Sequence, residues 1–345
     1  MNEITIAKLL KEKRGNISES SIKTYTSVLK SLYKKVFPED KEMNVDKFSN
    51  YEKILNYLND KPYNSRKTIL SALYVATNND HYQKQMMEDI KKYNDEMKTQ
   101  TMSQKQEANW VTQDEIRSVF NKYQTNAEFL IKESKHRELT PKEFQLWQDY
   151  IILALSSGIF IPPERVRDWT SFKIRNIDTE KDNYLEGKGN KRQLVFNSYK
   201  TAKFYGTRKM NCPKELLKIL DAFIPKVKSD YLLNTSAGKP LSQVLFTQKL
   251  NNIFKKNVSV NILRHSYLTS RFQEGKISLQ ELTDTANAMS HSLTQSLEYV
   301  KLNKPNEESK VETEPEPVSD SDELTKVSEN EIVKKKRGRP RKKVE

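Results

Sequence analysis

One cysteine and four histidines are all that 345 residues supply. The lone Cys212 excludes an intrachain disulfide and any zinc site built on cysteines. A reducing, intracellular compartment is therefore the default expectation. Long apolar runs are also missing. The longest, YIILALSSGIFI (150–161), is broken by Ser-Ser-Gly and is too short to span a bilayer, so it reads as a core helix. The opening MNEITIAKLLKEKRGN mixes acid and base with no cleavable apolar stretch, and no signal peptide is visible in it. No internal repeat, P-loop, HExxH or paired-carboxylate spacing stands out, which removes the commonest nucleotide and metal signatures.

What is present in excess is positive charge. Sixty Lys and Arg face forty-six Asp and Glu, a formal net charge of +14. A polyanion is the macromolecular partner that such a surface attracts. Hydrophobic residues at 35% and charged residues at 31% suit a helical protein with long polar surfaces.

The chain divides by pattern. Residues 1–98 read as a helical domain. SESSIKTYTSVLKSLYKKV (18–36) starts on Ser18 or Ser20 and sets Ile22, Tyr25, Val28, Leu29, Leu32 and Val36 at helical spacings. Helices follow at 45–59 and 64–78, the latter with Lys and Arg on its polar side. Residues 99–109 lose apolar period, as a linker does. A second domain, 110–304, opens on a capping box, Thr112 with Glu115. A helix at about 142–158 leads to short strands in FKIRNID, NYLEGKG, QLVFNSYK and TRKMNCP, with turns at GKGN and KTAKFYG. Helices resume in PKELLKILDAFI, QVLFTQKLNNIFKK, SVNILRHSYLTSRF, SLQELTDTANAM and TQSLEYVKL. The expected class is α+β, mostly helical, with a small antiparallel sheet. Residues 305–345 read as a disordered tail: 307–331 hold ten acids against two lysines, and KKKRGRPRKK (334–343) closes the chain. The tail's acidic and basic blocks cancel, so the globular part is basic by itself.

Four stretches of the second domain offer phosphate-binding or proton-transferring groups. SGIFIPPERVRDW presents Arg165 behind a rigid Pro162-Pro163 turn. FNSYKTAKFYG places Lys200 between two strands, with Lys203 three residues on as a second cation of the same turn. Lys188 and Lys191 in GKGNKR form another turn of like chemistry. SVNILRHSYLTSRF carries Asn261 and Arg264 three apart on one helix face. MSHSLTQSLEYVK carries His291 and Tyr299. Arginines clamp non-bridging phosphate oxygens, a lysine protonates a leaving oxygen, and a tyrosine hydroxyl attacks phosphorus. Such a set needs no cofactor and no metal.

These blocks resemble the catalytic domain of the tyrosine recombinases, the phage-type integrases. The resemblance is nearest to the divergent branch found in large DNA viruses of protists and their virophages, with its Pro-Pro-x-Arg first box. It covers roughly residues 110–302, and residues 1–98 fit the core-binding domain that completes a C-shaped clamp on double-stranded DNA. It implies that Arg165 is the first arginine, Lys200 (in YKT) the β-hairpin lysine and Arg264 (in LRH) the second arginine. His291 then takes the His/Trp position and Tyr299 that of the nucleophile. A 3′-phosphotyrosyl link, a free 5′-hydroxyl and a Holliday junction in a tetramer are implied with them. The sequence departs from the pattern at three points. Asn261 stands where the HxxR box begins with His, Ser290 where Gly precedes the histidine, and the gap from His291 to Tyr299 is one residue shorter than is common. His265, about 100° round the helix from Arg264, is not expected to replace the missing histidine. Related chemistries are a type IB topoisomerase and a telomere resolvase; a DNA-binding protein without catalysis is the alternative of another class.

Arg337, Gly338, Arg339 and Pro340 resemble an AT-hook, whose extended Arg-Gly-Arg fits the narrow minor groove of A·T tracts. A nuclear-localisation signal or a plain phosphate grip explains the same four residues. A host nucleus or a cytoplasmic viral factory is the expected place of work.

Overall fold

Helix follows helix for the first hundred residues because apolar side chains recur at three- and four-residue spacings and polar caps punctuate them. The computed structural model describes residues 3–304 apart from 274, 276, 290 and 291. The expected acidic tail and its basic run lie outside the described residues. The chain forms two units, one ending at Thr99 and the other spanning Gln100–Asn306.

The first unit contains α1 (Glu3–Lys13), α2 (Glu19–Val36), a 3-10 turn at Val45–Ser49, α3 (Tyr51–Leu58), α4 (Tyr63–Thr77) and α5 (Asp80–Lys98). Ser18, rather than Ser20, caps α2, its Oγ accepting from the Ser21 N–H at 3.1 Å. Ile22, Leu29, Leu32 and Val36 of α2 are buried with Ile54, Leu58, Leu70 and Tyr82 in one core. The helix expected over 45–59 is interrupted at Asn50, whose side chain accepts from the Lys53 N–H at 3.2 Å and starts α3 afresh. Arg66 is not on a solvated face as expected. It donates twice to the buried Asp89 of α5, both bonds 2.6 Å, because a carboxylate with no exposure needs a cation beside it.

The second unit begins inside the stretch expected to be a linker. There α6 (Gln104–Ala108) is held by a capping box between Ser103 and Gln106, and Gln106 is buried. The expectation of a linker over 99–109 is corrected accordingly: five residues are too few to display an apolar period, but enough for one capped turn. Two long helices follow, α7 (Gln113–Glu133) and α8 (Pro141–Ser156), each opening on a capping box, Thr112 with Glu115 and Thr140 with Glu143. Nearly every residue from Trp147 to Ser156 is buried, so α8 is the central rod of this core. Beyond it come α9 (Val166–Thr170), β1 (Phe172–Lys173), β2 (Asn183–Glu186), β3 (Gln193–Phe196), α10 (Ala202–Tyr205) and β4 (Arg208–Asn211). The α-helices α11 (Lys214–Phe223), α12 (Gln243–Phe254), α13 (Val260–Gln273), α14 (Leu279–Ala288) and α15 (Leu293–Tyr299) follow.

The sheet runs in the order β1-β2-β3-β4. The pairs β2–β3 and β3–β4 are antiparallel as expected, but β1 pairs with β2 in parallel, Phe172 opposite Asn183. The sheet is therefore mixed. The loop 174–182, closed by the Asp182 N–H on the Asp178 carbonyl at 2.9 Å, brings the chain back in its original direction. The Asn183 side chain then fixes β2 by donating to the carbonyls of Asp168 and Ser198, both at 2.9 Å. Trp147, Trp169, Phe172, Phe196 and Phe223 fill the main core. A smaller core, Leu268, Met289 and Val300 with Tyr267, Phe272 and Tyr299 at its edge, stands apart and fastens α15.

Candidate functional site

The end of α8 sets the first arginine. Gly158 leaves the helix at φ 84°, and a Cβ there would lie 2.6 Å from Cδ2 of Tyr267 on α13, so this turn admits only glycine without displacement. Pro162 and Pro163 then stiffen the approach to Arg165, which stands at the N-cap of α9. Arg165 is half-buried. Its Nη1 is a buried donor with no hydrogen-bond acceptor among the described residues. Burial pushes its guanidinium below the ordinary arginine value, and the nearby Arg264 pushes the same way; Tyr299, Asp168 and Glu164 oppose them.

Arg264 sits in the middle of α13 with no exposed surface. A guanidinium at such depth is tolerated because it is tethered: Nη1 donates to the Pro163 carbonyl at 2.6 Å and Nη2 to the Met289 carbonyl at 3.3 Å. Its central carbon lies 5.2 Å from the centre of the Tyr299 ring. Tyr299 is the last residue of α15 and half-buried. Asn261, in the first turn of α13, is half-buried three residues before Arg264. Segments well separated in the sequence thus gather Arg165, Arg264 and Tyr299 at one place.

Three further charged groups belong to this place, and sequence reasoning missed them. Glu164 and Asp168 are both fully buried. Arg208, the first residue of β4, donates through Nη1 to Glu164 Oε1 at 2.6 Å and to the Ala288 carbonyl. Its guanidinium also covers the rings of Phe196 at 4.5 Å and Tyr199 at 5.6 Å. Burial raises the Glu164 carboxyl, against the pull of Arg208, Arg264 and Arg165. Asp168, with neither oxygen hydrogen-bonded among the described residues, is pushed up to about 7 by burial and then by Glu164. Two signals pointed at these residues. Asp168 follows Arg165 by three positions, hence on the same side of a helical turn. Arg208 is an inward residue of a strand whose burial alternates. Three guanidiniums against two carboxylates leave a buried excess of positive charge, larger whenever Asp168 holds a proton. That arrangement suits an anion, which would offset the excess and accept the spare Arg165 N–H.

Lys200 and Lys203 are exposed on the connection from β3 to β4, in and just before α10. Tyr199, next to Lys200, anchors that connection through its hydroxyl on the Gly206 carbonyl at 2.8 Å. No contact among the described residues joins either lysine to the arginines. Lys188 and Lys191 are exposed on the β2–β3 connection. His291, Arg337, Gly338, Arg339 and Pro340 lie outside the described residues. Among the described residues no group of three or more His, Cys, Asp or Glu could hold a metal ion, and no helix is long and apolar enough to cross a membrane.

No family model and no curated protein matches this sequence. Among solved structures, the chain is similar to the XerH site-specific recombinase bound to its palindromic difH substrate in a post-cleavage complex. The TM-score there is 0.49 and the identity 14%, over 86% of this chain and 80% of that one. It is also similar to lambda integrase residues 75–356 bound to DNA, with a TM-score of 0.45 and 16% identity over 91% of this chain and 100% of that one. A third similarity is to XerA recombinase, with a TM-score of 0.36 and 14% identity over 88% of this chain and 95% of that one.

Proposed function

We propose that this chain is a site-specific DNA recombinase, the integrase of a viral or mobile element, that cuts and rejoins strands through a covalent tyrosine link. The observation that carries the reading is the meeting of the Arg165 and Arg264 guanidiniums beside the Tyr299 ring, with a buried N–H of Arg165 left for an anion.

The arginines hold the non-bridging oxygens of one phosphodiester and stabilise the charge of the pentacoordinate state. The Tyr299 oxygen bonds to phosphorus as its proton passes to solvent water. The bond from phosphorus to the 5′ oxygen breaks, and that oxygen leaves as a hydroxyl with a proton from Lys200. The 3′-phosphotyrosine conserves the bond energy, and a second 5′-hydroxyl reverses the step on a new strand. Asn261 donates a hydrogen bond to a phosphate oxygen where a histidine would also relay a proton. His291, Lys188, Lys191 and Lys203 complete the phosphate contacts. The first unit closes round the duplex, four chains assemble on two sites, and Arg337, Gly338, Arg339 and Pro340 add a minor-groove grip.

A nicked suicide duplex tests this. Once its short 5′ piece diffuses away, the wild-type chain stays covalently attached to the DNA, whereas Tyr299→Phe yields no adduct. An adduct on Tyr299→Phe removes Tyr299 as nucleophile. No adduct on wild type, with duplex still bound, favours the DNA-binding alternative, to which Asn261 lends its support.

A further inference from the structure

The residue after Arg264 has a place of its own. His265 is buried on α13, and its ring lies against that of Tyr299, centroids 4.7 Å apart. Its Nδ1 is 2.7 Å from the Tyr299 carbonyl oxygen. A carbonyl only accepts, so Nδ1 carries the hydrogen. On the other side of the ring Nε2 faces the side-chain nitrogen of Gln106 at 3.3 Å. That amide has one orientation available, because Oε1 already accepts from the Ser103 N–H at 2.9 Å and so leaves the NH2 end for the imidazole. Every role in the line is then fixed: Ser103 N–H to Gln106, Gln106 to His265, and His265 to the backbone of Tyr299.

The line ends where α15 needs it. A helix of seven residues is marginal alone, and the carbonyls of its last turn have no partner within it. The chain just beyond is pinned beside it. The Lys301 N–H donates to Thr269 Oγ1 at 2.9 Å, the Leu302 N–H to the Gln100 carbonyl at 2.9 Å, and the Met102 N–H to the Asn303 carbonyl at 2.9 Å. Burial pushes the His265 imidazole down to about 3, against the hydrogen bond to the Tyr299 carbonyl and with Lys301 and Arg264 adding to the fall, so the ring is neutral near pH 7. A histidine satisfied in a core could point anywhere. This one donates to the main chain of Tyr299 itself, through a path that begins on α6.

We propose that His265 and Gln106 are positioning residues for Tyr299, the neutral imidazole setting the reach of the phenolic oxygen by holding that residue's carbonyl. The inference rests on the reading of Tyr299 as nucleophile. It assigns His265 no proton transfer and no contact with DNA.

The test uses the full chain on the suicide duplex, with single-turnover adduct formation, duplex affinity and thermal unfolding measured side by side. His265→Leu removes both hydrogen bonds at similar volume. His265→Asn keeps a donor at the Nδ1 position. Gln106→Met removes only the far partner. Misplacement by about 1 Å costs on the order of 100-fold in rate, so His265→Leu is expected to slow adduct formation 10- to 100-fold with duplex affinity within about 3-fold. His265→Asn is expected to restore most of the rate, and Gln106→Met to fall between them. Should His265→Leu fail to fold, the ordering of His265→Asn and Gln106→Met against wild type decides. Wild-type rates in His265→Leu, or in both of the other variants, overturn the inference, as does an Asn variant no faster than Leu. Absence of adduct on wild type overturns the reading of Tyr299 instead.

Discussion

Replacing Arg208 by Met strands the Glu164 carboxylate, and the structure sets the cost. Glu164 has no exposed surface, and Arg208 is its hydrogen-bonded counter-ion at 2.6 Å. An ionised carboxylate left at that depth costs about 3–5 kcal/mol. The group has an escape, which is to take a proton. Holding neutral a carboxyl whose ordinary value is 4.5 costs about 1.4 kcal/mol for each pH unit above that value. The ceiling is therefore about 4 kcal/mol at pH 7.5 and about 1 kcal/mol at pH 5. The folded variant holds a proton that its unfolded chain has lost, so its deficit grows as pH rises through this window. Adding Glu164→Gln removes the buried charge, and the double variant is expected to recover most of the loss with little pH dependence. All three tryptophans, Trp110, Trp147 and Trp169, belong to the second unit, so urea unfolding followed by their fluorescence reports on it selectively. A loss in Arg208→Met under about 1 kcal/mol at pH 7.5, or an equal loss at both pH values, refutes the reasoning.

Two further substitutions probe the same ground. Gly158→Ala meets both a left-handed backbone and the Tyr267 ring, and is expected to cost about 2–4 kcal/mol by the same fluorescence assay; a change under 1 kcal/mol contradicts it. Asp168, raised to about 7 in the fold, binds a proton that the unfolded chain releases near 4, so it lowers stability progressively as pH rises from about 4 to 7. Asp168→Asn is expected to abolish that slope, gaining on wild type up to about 4 kcal/mol by pH 8, and parallel melting-temperature profiles for the two proteins between pH 5 and 8 would argue against it.

Much of this molecule was written in short-range pattern. Ile22, Leu29, Leu32 and Val36 announced α2, and Thr112 with Glu115 announced the start of α7, because apolar period and capping act over three or four residues. Arg165, Arg264 and Tyr299 were singled out for a different reason: each is a chemically capable side chain in a distinctive sequence neighbourhood, and the structure draws the three together. What escaped depends on distant partners. Glu164 and Arg208 are 44 positions apart: strand alternation turns Arg208 inward, but nothing local names Glu164 as its partner. His265 was set aside as a stand-in for a proton relay, yet its tie to the Tyr299 carbonyl spans 34 positions and is invisible in a helix read alone. The parallel pairing of β1 escaped because two residues have no alternation to read. Arg66 looked solvated until α5 brought Asp89 against it.

The small core of Leu268, Met289 and Val300 has a consequence for how this unit comes apart. Each such side chain contributes about 1.5–3 kcal/mol when buried, a sum well below what α8 and its aromatic neighbours supply. Releasing 293–303 would give up this small core and the ties of Lys301 to Thr269 and Leu302 to Gln100, while the apolar contacts of α8 and the sheet belong to the main core. The Tyr299 phenol thus hangs on the smaller core, tied down by hydrogen bonds to His265, Thr269 and Gln100, and loosening that short segment costs less than opening the main core.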